Sequence, residues 1–183
     1  MFLRVAPLLF AIACERDAGN ACVAVGDPRL AIELLPVAVN DAGALVPLHD
    51  GDGLLLQKPP QGGYVIYAGA AARNLQACGA QVTAYLIDRA SGKPLTNLDQ
   101  RKTDFTVENG GYFFTSSPYS QTPNIPACPD ALRVGVLGAD ATLHVEVLDA
   151  QSRSAAVEVR VHAACPAGDV KCPCLCGSNP TGC

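Results

Sequence analysis

Tryptophan is absent from the 183 residues, methionine occurs once, and only 13 residues are basic. The lack of Trp excludes the Cys…Trp…Cys core of a true immunoglobulin domain. The net charge is −4 at pH 7 and no Lys/Arg run occurs, so we expect no nucleic-acid partner. Beyond Ala13, no apolar stretch approaches the roughly 20 residues of a membrane-spanning helix.

Motifs that carry catalysis are also lacking. The sequence has no Gly-x-Ser-x-Gly, no His-Glu-x-x-His, no Cys-x-x-Cys and no phosphate-binding loop, and three histidines are all that could serve as a base. We therefore predict a protein without a catalytic role and without a cofactor.

The N-terminus has the layout of an export signal. A start with one basic residue, Arg4, precedes the apolar run 5–13, which ends in Ala11-Ile12-Ala13 and is followed by Cys14. A small residue followed by Cys at this place resembles the lipobox of bacterial lipoproteins, although Ala11 stands where Leu is usual. The resemblance implies that residues 1–13 are a signal peptide and that Cys14 receives a lipid. It places the protein in the cell envelope, extracytoplasmic, at the outer membrane or facing the periplasm, with the membrane as a partner.

Cysteine parity favours the lipoprotein over simple secretion with an unmodified Cys14. Nine cysteines are present, and an odd thiol is a liability in an oxidising compartment. Using Cys14 for lipid leaves eight, enough for four disulfides. Residues 14–29 are small and polar and are interpreted as a tether.

Residues 30–163 have the pattern of an all-β domain. Gly, Pro, Asn and Asp recur every 8 to 12 residues between short β-branched runs, which is typical of an antiparallel β-sandwich, here immunoglobulin-like without the core Trp. The predicted strands are 30–39, 54–57, 64–69, 81–88, 102–107, 111–114, 132–137, 142–148 and 156–162. The most plausible helix is 70–77.

The last two predicted strands alternate between apolar and polar residues and form a hairpin. Placing Glu146 opposite Glu158 would oppose like charges. A register that sets Glu146 opposite Arg160, and His144 opposite His162, pairs opposite charges and is our prediction.

Residues 164–183 form a Cys-rich tail with too few apolar residues for a core, so we expect disulfides to hold it. We expect Cys78 to pair with Cys128 in the loop 122–129, and Cys22 to pair into the tail. Eight cysteines allow 105 connectivities. The predicted disulfide cysteines are Cys22, Cys78, Cys128, Cys165, Cys172, Cys174, Cys176 and Cys183.

A metal-binding protein is the alternative. The spacing Cys172-x-Cys174-x-Cys176 can present thiolates to Zn or Cu(I), and His144 with His162, beside Glu146, can ligate a metal on the outer sheet face. Disulfides are the favoured state of the tail in an oxidising compartment, and no metal ligand is assigned. His49-Asp50-Gly51-Asp52-Gly53 is interpreted as a turn rather than a calcium loop.

Aromatic residues are densest in 112–119. Phe113 and Phe114 point to opposite faces of any strand, so either both are buried or one offers a binding patch to a protein or glycan. Gly62 and Gly63 indicate a strand entry that needs close approach or a positive φ. The sequence thus predicts a lipid-anchored envelope protein of binding or structural type.

Overall fold

The computed structural model describes residues 23–128 and 135–177. The predictions for the signal peptide and for Cys14, Cys22 and Cys183 lie outside these residues. The predicted all-β sandwich is confirmed, with a pair of short helices. The strands are β1 Ala24–Val25, β2 Glu33–Val39, β3 Leu45–Pro47, β4 Asp52–Leu55, β5 Tyr64–Arg73, β6 Leu75–Gln76, β7 Ala80–Asp88, β8 Asp99–Thr103, β9 Phe105–Asn109, β10 Tyr112–Thr115, β11 Asn124–Cys128, β12 Ala141–Leu148 and β13 Ser154–Ala164; the helices are α1 Pro118–Gln121 and α2 Lys171–Cys176.

Two sheets build the sandwich. The six-stranded sheet has the order β3-β2-β5-β10-β9, with β11 also pairing with β5. The five-stranded sheet has the order β4-β13-β12-β7-β8. Pairing is antiparallel except between β4 and β13, and β1 pairs with β6 as a small separate ribbon. No helix of the described residues is long and apolar enough to cross a membrane.

The core lies between the sheets, where their inward-facing residues alternate with outward ones. On β12 the inward residues Leu143, Val145 and Val147 are fully buried, and on β5 the inward residues Tyr64 and Ile66 are nearly so. The wet and dry faces predicted for the C-terminal hairpin are therefore confirmed.

The predicted register of that hairpin is wrong. His144 lies opposite Glu158 instead of His162, and Glu146 lies opposite Ala156. The turn decides the pairing: Asp149 N–H donates to the carbonyl of Arg153 at 2.9 Å, and Leu148 pairs with Ser154, so the loop is tighter than the charge pattern suggested. The contact that forms instead joins Nδ1 of His144 to the carboxylate of Glu158.

The predicted helix at 70–77 is wrong, because β5 continues through Arg73 and β6 follows. Alanine favours helices, but this strand is buried on both faces and needs small side chains there. At Gly69, an added Cβ would lie 3.2 Å from Cδ of Pro123, so a neighbouring segment approaches the strand closely.

Other strand predictions hold in part. The run predicted at 102–107 is divided between β8 and β9. Of the strand predicted at 132–137, the described part makes only an isolated bridge from Leu137 to Ala163. A turn is confirmed over 49–52, where Asp52 N–H donates to the carbonyl of His49, and β4 begins at Asp52. Gly62 and Gly63 both have positive φ, at 90° and 72°.

The predicted Cys78–Cys128 disulfide is wrong. Cys128 ends β11 rather than lying in a loop, and it bonds Cys176 of α2. The pairing of Cys128 with Tyr64 places it at the start of β5, whereas Cys78 follows the other end of that long strand.

The described part of the tail packs onto the sandwich. A second disulfide joins Cys165 to Cys172. Cys78 and Cys174 are each in a disulfide as well. Cys172 and Cys176 are 0% and 1% exposed and belong to the main core. The disulfides thus seat α2 against the end of the sandwich.

Candidate binding cleft

A bulge interrupts the ladder between β7 and the segment leading into β8. Ile87 pairs with Pro94, and Leu95 N–H donates to the carbonyl of Leu86 at 2.8 Å. Further along, Ala84 pairs with Asp99. The residues 96–98 therefore lie opposite the single residue Tyr85, and such bulges re-aim side chains near functional sites.

Thr96 fixes the bulge from inside. Its side chain is buried, and its Oγ1 accepts a hydrogen bond from Leu86 N–H at 3.0 Å. With Thr96 turned inward, Asn97 and Leu98 lie at the surface, and Leu98 is 62% exposed. The buried hydrogen bond of Thr96 therefore fixes a backbone conformation in which the apolar side chain of Leu98 is exposed to solvent.

Beside the bulge, three outward residues form a row across the sheet. His144 of β12 lies opposite Tyr85 of β7 on one side and Glu158 of β13 on the other. The Tyr85 and His144 rings are tilted by 36° with centroids 4.9 Å apart. His144 Nδ1 is 2.9 Å from Oε1 of Glu158.

The contact of His144 with Glu158 bears on which ring nitrogen of His144 can accept a hydrogen bond. In the tautomer whose Nδ1–H donates to Glu158, Nε2 of the imidazole is an acceptor. Only 20% of the His144 side chain is exposed, so Tyr85 and Glu158 restrict its orientation. The row can therefore accept a hydrogen bond from a ligand beside an aromatic ring.

These features border an open cleft of about 790 Å³. Its lining combines apolar surface with an amide and an ammonium group: Tyr85, Lys93, Pro94, Thr96, Asn97 and Leu98. Ligand sites typically have roughly 300–1,000 Å³ and this mixture of apolar lining with few polar groups. We call these six residues the Tyr85 cleft; His144 lies next to it, as the cross-strand neighbour of Tyr85.

The structure does not bring the predicted metal ligands together. His162 pairs with Gly53 of β4, away from His144. The tail cysteines of the described residues are in disulfides, which removes their thiolates. Within residues 23–128 and 135–177, no group of three His, Cys, Asp or Glu could hold a metal ion.

His162 instead borders a second open cavity of about 550 Å³, together with Asp140 and Arg160. Asp140 accepts from Arg89 at 2.7 Å and from Arg160 at 3.1 Å. All three of these charged side chains are 41% exposed or more, so this network is a solvated surface cluster.

In the aromatic cluster 112–119, the exposed aromatic residue is neither Phe113 nor Phe114. Phe114 is buried and Phe113 is half-buried, whereas Tyr119 of α1 is 51% exposed. Its ring meets that of Tyr67 edge-on at 5.0 Å, and the two border a cleft of about 330 Å³ with Lys58. Burial raises the pKa of Tyr67, with a further contribution from Tyr119.

Sequence reasoning singled out His144 but missed Tyr85 and Leu98. The available signal was spacing: the residues between the predicted strands 81–88 and 102–107 are more than a tight hairpin needs. Which of them would form a bulge depends on the buried Thr96 hydrogen bond, and the sequence alone does not show that contact.

No family model, curated protein or solved structure matches the chain.

Proposed function

We propose that the protein is a lipid-anchored cell-envelope protein that binds an extracytoplasmic partner through the Tyr85 cleft. The observation that carries the binding role is the bulge, which holds Leu98 exposed beside Tyr85 and an oriented His144. Exposed apolar groups bordered by polar ones are typical of binding sites.

The anchor is supported by the N-terminal pattern and by the chemistry of the tail. Ala11-Ile12-Ala13-Cys14 ends an apolar run, as a lipoprotein signal does. Every cysteine among the described residues is disulfide-bonded, which favours an oxidising compartment. Both observations agree with export followed by attachment through Cys14.

The partner follows from the lining of the cleft. Tyr85, Pro94 and Leu98 offer apolar contact, and Asn97 and Lys93 add polar groups to the lining. His144, beside Tyr85 on the next strand, can add an acceptor through Nε2 in the tautomer that donates to Glu158. A sugar presents an apolar C–H face together with hydroxyl donors. An aromatic or aliphatic side chain of a protein also presents an apolar face. We propose a glycan or protein partner that inserts such a group against Tyr85.

The anchor is tested by expressing the full chain in a bacterial host with alkyne-tagged palmitate. We expect label and membrane association in the unchanged chain and in Arg16→Ala, and loss of both in Cys14→Ala. Membrane association without label, or label retained in Cys14→Ala, would refute the anchor.

The cleft is tested by NMR titration of the exported protein with a fragment set of simple sugars and aromatic amides. We expect shift changes centred on Tyr85, Leu98 and His144, reduced in Leu98→Asp. Leu148→Asp is the matched control, because Leu148 is another exposed leucine on the same sheet. Shift changes confined to other surfaces, or equal in both variants, would refute the cleft as the binding site.

A further inference from the structure

Asn109 ends β9 at the tip of the β9–β10 hairpin, and Gly110 follows it. It is the one asparagine of the 183-residue sequence that precedes a glycine. The residue is exposed, and among residues 23–128 and 135–177 its side chain has no hydrogen-bond partner. The side-chain amide is therefore available to the backbone that follows it.

Other asparagines of the described residues lack this combination. The side chain of Asn40 accepts hydrogen bonds from two backbone N–H groups, and Asn74 is buried. Asn97 is exposed, but Leu98 follows it, and a side chain on the following residue hinders the approach of its backbone nitrogen. Gly110 has no side chain that could do so. The combination singles out the tip of the hairpin.

We propose that Asn109 is a site of spontaneous deamidation, at a rate set by opening of the β9–β10 hairpin. The backbone nitrogen of Gly110 attacks the side-chain carbonyl carbon of Asn109 and closes a five-membered succinimide ring. The attacking nitrogen loses its proton to solvent, and the side-chain nitrogen takes up a proton and departs as ammonia. Water then opens the ring, at the side-chain carbonyl to give aspartate or at the main-chain carbonyl to give isoaspartate.

The hairpin holds Asn109 away from the conformation that this ring requires. Asn109 is extended and pairs with Tyr112, and Gly110 and Gly111 form the turn between them, with φ of 59° and 79°. In a hairpin with a two-residue turn, the pair that closes the turn exchanges backbone hydrogen bonds. Folding the Gly110 nitrogen back onto the Asn109 side chain rotates the intervening peptide and turns the Asn109 carbonyl away from Tyr112. The reaction therefore proceeds from a hairpin whose last pair has opened.

The product changes the same end of the hairpin. Aspartate and isoaspartate both place a new carboxylate next to Glu108 in the chain. Isoaspartate also runs the main chain through the side-chain methylene, which adds one backbone atom at the entry to the two-residue turn. The pairing of position 109 with Tyr112 then shifts, and with it the Tyr112 ring, which lies under the Arg73 guanidinium at 5.0 Å. Deamidation therefore loosens this end of the six-stranded sheet.

The modification is tested by incubating the exported protein at neutral and at mildly alkaline pH, followed by peptide mapping with mass spectrometry. We expect a gain of one mass unit at Asn109 that is faster at the higher pH, because the attacking nitrogen must lose its proton. Asn97 is the internal control and should gain far less over the same period. Asn109→Gln should remove the gain, because glutamine would have to close a larger ring. No gain at Asn109 over many half-times of a synthetic peptide of residues 105–112, or equal gains at Asn97 and Asn109, would overturn the proposal.

A second comparison tests whether the hairpin controls the rate. Tyr112→Ala removes the side chain opposite Asn109 and its contact with Arg73, so the last pair opens more often. We expect the deamidation rate at Asn109 to rise by about threefold to tenfold. Tyr119→Ala, which removes the exposed tyrosine of α1, should leave the rate unchanged. The deamidated protein should also exchange the amide hydrogens of β9 and β10 faster than the unmodified protein. Equal rates in the two variants, or amide exchange that deamidation leaves unchanged, would overturn the role of the hairpin.

Discussion

The Arg153 guanidinium lies 2.7 Å from the Asp149 carboxylate, whose side chain is completely buried. The same guanidinium donates to the carbonyl of Asn74 at 2.9 Å and to that of Pro28. One side chain therefore ties the turn between β12 and β13 to the segment that precedes β2. Removing Arg153 leaves a buried carboxylate without its ionic partner.

We predict that Arg153→Ala lowers the free energy of unfolding by about 3 kcal/mol, because the remaining buried carboxylate then has neither water nor an ionic partner. Chemical denaturation with a linear extrapolation measures the change. Arg29→Ala is the matched control: its partner Asp27 is at the surface and Arg29 is 87% exposed, so a loss within about 1 kcal/mol is expected. Equal losses in both variants would contradict the structural role of Arg153.

The turn that contains Asp149 also predicts that the stability of the protein depends on pH. Burial acts to raise the pKa of Asp149, but hydrogen bonds from the backbone and side chain of Arg153 and from the Gln151 backbone together hold this pKa below its ordinary value. A carboxyl with a depressed pKa in the folded state contributes stability above its unfolded pKa of about 3.9 and loses it as the pH falls through the folded value. We expect Asp149→Asn to flatten the acid limb of the stability curve below about pH 4, as measured by thermal unfolding. An unchanged acid limb would contradict the assignment.

Tyr64 and Asp169 join the first residue of β5 to the loop before α2. The Tyr64 hydroxyl donates to Oδ2 of Asp169 at 2.6 Å, and this bond, followed by burial, raises the pKa of Tyr64 to about 12. A raised pKa contributes stability that is complete below the unfolded pKa of about 10 and is lost as the pH rises through the folded value. We expect alkaline destabilisation between about pH 10 and pH 12 that Tyr64→Phe largely removes, together with a loss of about 2 kcal/mol at neutral pH.

Stability measured from pH 8 to 12 tests this prediction. Tyr112→Phe is the control, since the Tyr112 ring lies under Arg73 at 5.0 Å and its substitution keeps that ring contact. An alkaline limb that persists in Tyr64→Phe would show that another group controls it.

Local patterns in the sequence predicted much of the fold, and contacts between distant residues decided the rest. The alternation of Val157, Val159 and Val161 with polar residues predicted a two-faced strand, because burial on one face is a local constraint on sequence. The register of that strand depended on the Asp149 turn. Residues 70–73 form a strand rather than a helix because tertiary contacts bury both faces of β5. For the candidate site, His144 was visible as an outward residue, whereas Leu98 was placed by a bulge that only the tertiary contact of Thr96 with Leu86 defines.

The register is also testable energetically. We expect the double-mutant cycle of His144→Ala and Glu158→Ala to give a coupling of roughly 0.2–1 kcal/mol, because the two side chains are directly opposite and in contact. The cycle of Glu146→Ala and Arg160→Ala should give none, because those residues are not opposite each other. A coupling found only in the second cycle would favour the register predicted from charge.

The disulfides differ in the length of chain that they close, and this gives a quantitative prediction. Cys128–Cys176 spans 48 residues and Cys165–Cys172 spans 7. On the chain-entropy account, losing the first destabilises the protein by about 4 kcal/mol and losing the second by about 2.4 kcal/mol. Paired replacement by alanine isolates each bond without leaving a free thiol, and denaturation measures the two losses. Peptide mapping of the unchanged protein should recover both pairs. Because α2 is seated in the core by Cys176, the first double variant should also increase hydrogen exchange in α2 and at the end of β11, whereas the second should leave β11 protected. A larger loss from the shorter bond would mean that strain or packing, rather than chain entropy, sets the contribution of these disulfides.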